Sequence, residues 1–78
     1  MLSIYRCTHK KFIEKNGRQV SVDLFEIFAD AAADLTTAAV AELIGEDHDV
    51  AQGSVAWIIA DASVYMYNSQ GTWVKQLA

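Results

Sequence analysis

Apolar and polar residues along this chain change period twice, from two to about 3.6 and back, which divides it into three segments. In residues 1–29, two strand-like runs flank Asn16-Gly17. That dipeptide predicts a β-hairpin, because a type I′ turn requires positive φ at both central positions. A strict register places Lys15 opposite Arg18, Ile13 opposite Val20, Lys10 opposite Asp23 and Tyr5 opposite Phe28. An exposed Lys10–Asp23 pair would contribute about 0.2–1 kcal/mol. The second run does not hold one phase: Val20, Val22 and Leu24 share a face, and Phe25 and Ile27 take the other. Either a bulge re-aims the strand near Leu24-Phe25 or both of its faces are covered. In so short a chain, cover on both faces points to a partner subunit.

A short helix is predicted over residues 34–45. Asp34 or Thr36 can cap it, and Val40, Leu43 and Ile44 recur at helical spacing. Gly45 supplies the left-handed stop. At about ten residues it depends on packing for its stability. Residues 46–53 read as a polar loop. From 53 to 77 the period returns to two, broken by Asp61-Ala62-Ser63 and by Asn68-Ser69-Gln70-Gly71. That spacing predicts a three-stranded antiparallel meander in which Val55 and Trp57 oppose Ala56 and Ile58, and Tyr65 and Tyr67 oppose Val64 and Met66. The expected fold is therefore α+β, mainly β: an N-terminal hairpin, one short helix and a C-terminal meander in a single domain, 1–78.

Length sharpens this picture. A 78-residue chain buries only about 60–65 % of the surface it exposes when unfolded, so small domains are usually reinforced by disulfides, a metal or association. Cys7 is the only cysteine, so no internal disulfide forms and a reducing compartment is the natural setting. Self-association is the remaining route. No run approaches the roughly 18 apolar residues of a membrane span. The first residues lack the layout of a signal peptide, so synthesis in the cytoplasm is expected. Net charge is −4 and unevenly spread. Residues 1–19 hold five basic side chains against Glu14, whereas residues 20–78 hold nine acids against Lys75. Pairing within the fold or between copies accounts for this split better than nucleic acid does, since phosphate binding favours an unopposed basic surface.

Candidate chemistry is sparse. Cys7 and His9 fall two apart on one strand, but a nucleophilic pair also needs an orienting group and an oxyanion hole, which the sequence does not supply. Asp47-His48-Asp49 lacks the spacing of a calcium loop and reads as a solvated acidic segment. Asp30, Asp34 and Asp61 fit turn and cap roles, and no loop cradles phosphate. No catalytic, cofactor-binding or metal-binding residue is expected. The candidate interaction surface is Trp57, Tyr65, Tyr67 and Trp73, joined by Phe25 and Ile27, from the residue types that dominate protein interfaces.

Ala33-Asp34-Leu35, then Gly53-Ser54 with Ala56 and Asp61, then Val64-Tyr65-Met66-Tyr67-Asn68-Ser69 with Gly71 and Trp73, resembles a pattern in small structural proteins of tailed phages and prophages. Those include capsid decoration and head-fibre-like proteins. The likeness covers about the second half of the chain; Thr36 stands where such proteins usually place a proline. It implies a compact β module without enzymatic activity. It also implies a place in the virion, in several copies, with trimers expected from the three-fold positions of the shell. The partners implied are copies of the chain and other virion proteins such as the major capsid protein, with no nucleic acid and no membrane. Two other readings fit the same residues: a carbohydrate- or host-protein-binding module using the tyrosines and Trp73, and a small regulatory protein that docks through a sheet edge.

Overall fold

The chain reverses at Asn16 and Gly17, with φ of 53° and 76°, in the computed structural model, which describes residues 1–76. The predicted hairpin is present: β1 (Leu2–Lys15) pairs antiparallel with β2 (Arg18–Ala29). Lys15 faces Arg18 and Ile13 faces Val20, as the turn dictates. The register then slips twice, and both extra residues lie on β1. Lys10 is the first, so His9 rather than Lys10 faces Asp23; Tyr5 is the second, so Ser3 faces Phe28. The phase change expected near Leu24-Phe25 falls between Val22 and Asp23, opposite the first slip. A bulge adds local twist, and there burial passes from Val20 and Val22 to Asp23, Phe25, Ile27 and Ala29. Gly17 has positive φ, and a Cβ added there would meet nothing within 4 Å, so Gly17→Val meets backbone strain alone. Thermal unfolding should show a loss of about 1 kcal/mol or more.

After a single 3-10 turn, Ala32–Asp34, the helix α1 runs over Thr37–Ile44. Its cap is Thr36, whose Oγ1 accepts from the Ala39 N–H at 3.1 Å. Gly45 ends it with φ of 84°. Val40, 3 % exposed, and the flanking Leu43 and Ile44 lie over Phe25, Ile27 and Ala56. This is the core, and the alanines at 29 and 56, both fully buried, leave room for the helix to approach the sheet.

Residues expected to form only a loop contain a strand. β3 (His48–Val50) lies parallel to the middle of β2, with Ser21 facing His48 and Asp23 facing Val50. Farther along the same edge of β2, β4 (Val55–Ile58) also pairs in parallel, from Glu26 against Val55 to Ala29 against Ile58. The step between β3 and β4 leaves the Phe25 N–H facing no backbone partner in the neighbouring strand. Ser54, 1 % exposed, fills the gap: its Oγ accepts from the Phe25 N–H at 3.0 Å and donates to the Ala51 carbonyl at 2.8 Å. A buried N–H needs such a partner.

The C-terminal meander follows as expected, β4 against β5 (Ser63–Tyr67) and β5 against β6 (Trp73–Lys75). Residue 77, the expected end of that meander, lies outside the described residues. Asp61 and Asn68 organise the two turns through hydrogen bonds to the N–H groups of Ser63, and of Gln70 and Thr72. The result is an open mixed sheet ordered β1-β2-β4-β5-β6, with β3 beside β2. The helical crossover lies on one face only.

Candidate functional site

Paired residues in neighbouring strands point to the same side of a sheet, so the register assigns every side chain to a face. Phe25, Ile27, Ala29, Ala56, Ile58, Ser63, Tyr65, Tyr67 and Trp73 share the helix side. Two rows cross the other side. One runs Ser3, Phe28, Trp57, Val64, and the second runs Arg6, Glu26, Val55, Met66, Val74. Leu24 follows Glu26 in the same phase, and the ring of the bulged Tyr5 stands edge-on against Phe28 with centroids 5.5 Å apart. No element of the described chain lies over these rows. Trp57 is 41 % exposed, Met66 38 %, Val74 42 % and Tyr5 63 %. The two charges on this face are opposite and adjacent, with Arg6 Nε 3.4 Å from Glu26 Oε2.

The six residues expected to form a contact surface therefore separate. Trp57 lies at the centre of the open face. Phe25 and Ile27, 2 % and 0 % exposed, correct the expectation: they are core, and the chain's own helix covers them rather than a partner. Tyr65, Tyr67 and Trp73 lie half-buried at the margin of the helix side. There Tyr67 and Trp73 pack edge to face at 5.0 Å and wall a groove of about 400 Å³ floored by Val40, Ile44 and Val50. Tyr5, Phe28 and the Val–Met row on the open face were not singled out from the sequence. For Val64 and Met66 the signal was present in the alternation of β5. For Tyr5 and Phe28 the strict register gave the pairing, and the rings meet although the bulge makes Ser3 the backbone partner of Phe28.

A second constellation forms where the first register slip brings His9 opposite Asp23. This carboxylate is 2 % exposed. Ser21 donates to Oδ1 at 2.5 Å, His48 Nδ1 to Oδ2 at 2.7 Å, and Cys7 Sγ to Oδ2 at 3.4 Å. His9 Nδ1 lies 2.7 Å from Ser21 Oγ and 3.2 Å from Asp23 Oδ1. Ser21 spends its only proton on the carboxylate, so His9 must donate to both oxygens. Both imidazoles accordingly carry hydrogen on Nδ1. Burial alone would raise the Asp23 pKa; the hydrogen bonds from Ser21, His48, His9 and Cys7 outweigh it and bring the value down from 3.8 to about 2.

The same contacts disfavour nucleophilic chemistry at Cys7. Partial desolvation, then the hydrogen bond to Asp23 and its charge, push the thiol pKa up, whereas a reactive cysteine needs the thiolate. His9 is turned toward Ser21 and Asp23. Among the described residues, no group of three or more His, Cys, Asp and Glu is arranged to hold a metal ion, and no helix is long and apolar enough to cross a membrane.

The uneven charge of the chain is largely resolved inside the fold. Lys15 pairs with Asp49, and Arg18 with Glu46 and Asp47, across the start of β3. Lys10 and Lys11 form no ion pair among the described residues. Comparison of the chain with protein-family models, with curated proteins and with solved structures finds no match in any of the three.

Proposed function

We propose that this chain is a non-enzymatic assembly protein that docks onto other protein through the uncovered face of its sheet. The observation that carries this reading is the pair of apolar rows centred on Trp57, left without a covering layer. A sheet that packs a helix on one side normally presents polar residues to water on the other. Here Leu24, Phe28, Val55, Trp57, Val64, Met66 and Val74 occupy those positions, and contiguous exposed apolar surface of this kind marks interaction sites. The buried Asp23 centre supports the same reading, because its donors converge on the carboxylate and tie β1, β2 and β3 together.

The setting is the one suggested by the resemblance of residues 33–73: a tailed-phage or prophage virion, with the chain placed as a capsid decoration or head-fibre-associated component. Its partners there are further copies and proteins of the shell. Mass spectrometry of gradient-purified particles, from cells that carry the gene, tests this. The chain should band with the particles in many copies. Its recovery only in the particle-free fractions would overturn the virion assignment.

One observation favours a second reading. The groove walled by Tyr67 and Trp73 combines an aromatic side with a rim of polar residues, the make-up of a small-ligand site. A carbohydrate-binding module would use it, and a glycan array with no hits would remove that reading.

A further inference from the structure

We infer that the occupant of the open face is the same face of a second copy of this chain, an inference that rests on the assembly reading above. Two copies meeting in this way form a four-layer unit of helix, sheet, sheet and helix, in which each sheet is covered on both sides. Face-to-face sheets pack about 10 Å apart with their strands about 30° askew. Such a contact is isologous and closes on itself as a pair.

Charge is the first argument for self-pairing. The chain carries −4, so two copies repel one another unless the surfaces that meet are neutral. On the open face Arg6 and Glu26 cancel, being already paired, and the rest of the two rows is uncharged. Three of the acidic residues, Glu46, Asp47 and Asp49, lie elsewhere, engaged by Arg18 and Lys15. A face without unpaired charge also offers nothing to steer or select a charged partner.

Area is the second argument. From the exposed fractions at Tyr5, Trp57, Met66 and Val74, and areas of about 150–250 Å² for aromatic side chains, these four present on the order of 400 Å². The exposed Ser3 and Arg6 and the half-buried Leu24, Glu26, Phe28, Val55 and Val64 bring the face to about 800 Å². That is what each partner contributes to an interface of standard size. A three-fold arrangement divides each face between two neighbours, whereas a pair covers it whole. Trp57, with Phe28 and Val64 as its cross-strand neighbours, lies where a buried aromatic anchor contributes most.

Analytical ultracentrifugation at micromolar concentration, on the wild-type chain and on Trp57→Asp, tests the inference. The wild type should sediment at twice the chain mass, and Trp57→Asp at the chain mass, its dissociation constant raised at least 100-fold. Far-ultraviolet circular dichroism checks that the variant is folded. Met66→Lys, in the second row, is the fallback should Trp57→Asp lose its fold, and the same dissociation is expected. A wild-type mass of three chains, or a pair that survives both substitutions, would overturn self-pairing through this face. A monomer that binds an apolar-surface dye, with the dye displaced by Trp57→Asp, would overturn self-pairing while leaving the docking face intact. A monomer that binds no dye would overturn both.

Discussion

Asp23→Asn is expected to lower the stability of this protein by about 2–4 kcal/mol at neutral pH and to flatten its response to acid. The carboxylate receives donors at both oxygens: Ser21 and His9 at Oδ1, His48 and Cys7 at Oδ2. An asparagine has one acceptor oxygen and one donor NH2, so either orientation turns the NH2 toward two donors. The buried group is then repelled where the carboxylate was held. The sign of the acid response follows from the depressed pKa. Asp23 titrates near 3.8 when free and at about 2 in the fold. Its contribution is complete above the free value and is lost as pH falls through about 2. Converted through the linkage relation, that contribution is about 2 kcal/mol. Urea unfolding of both proteins at steps between pH 5 and pH 2 measures it. The difference between wild type and variant should shrink below pH 4. Asp34 and Asp61, also held below the ordinary carboxylate range by hydrogen bonds, should leave both proteins with some residual slope. A difference that stays constant to pH 2 would show that the Asp23 charge is not what the four donors stabilise.

Ile27→Ala should cost about 2–4 kcal/mol, measured as a shift in the urea midpoint at unchanged slope. Ile27 is fully buried against Phe25, Ala56 and the helix residue Val40. Truncation leaves a void that the sheet cannot close without pulling the helix inward. The result separates the two sides of the same sheet. Ile27 and Trp57 were equally plausible contact residues by type, yet removing Ile27 should damage the fold of a single chain. Trp57→Asp should spare that fold and act on association. Equal loss of stability from both substitutions, measured at a concentration too low for copies to associate, would mean that the sheet has no free side.

Much of the architecture was legible because short-range rules produce it. Asn16-Gly17 forces the reversal whatever surrounds it, and Thr36 and Gly45 bound the helix through local hydrogen bonds and positive φ. Asp61 and Asn68 shape the meander turns in the same way. β3 was not legible. His48-Asp49-Val50 has neither length nor alternation, and it becomes a strand only because β2 offers an open parallel edge there. Nor could the sequence reveal the slips at Lys10 and Tyr5. Each inserts one residue into a run that would otherwise pair regularly, and the gain lies in contacts made far away in sequence. The Asp23 centre depends on the first of those slips. A strict register places Lys10 at the carboxylate; the bulge substitutes His9, and β3 then adds His48 from the opposite side.

The candidate site shows the same division. Periodicity alone established that the second strand and the meander carry apolar residues on both sides, and that Trp57 falls in the phase opposite Ala56 and Ile58. Which phase would be core was decided by the path of the helix, which crosses on the side of the small residues Ala29 and Ala56, where close approach is possible. That choice buried Phe25 and Ile27 and left Trp57, Met66 and Val74 in solvent. Alternation is a property of each strand by itself, so the sequence determined it. The side that receives cover is a property of the packed whole, since one eight-residue helix can shield only one face of a sheet this wide.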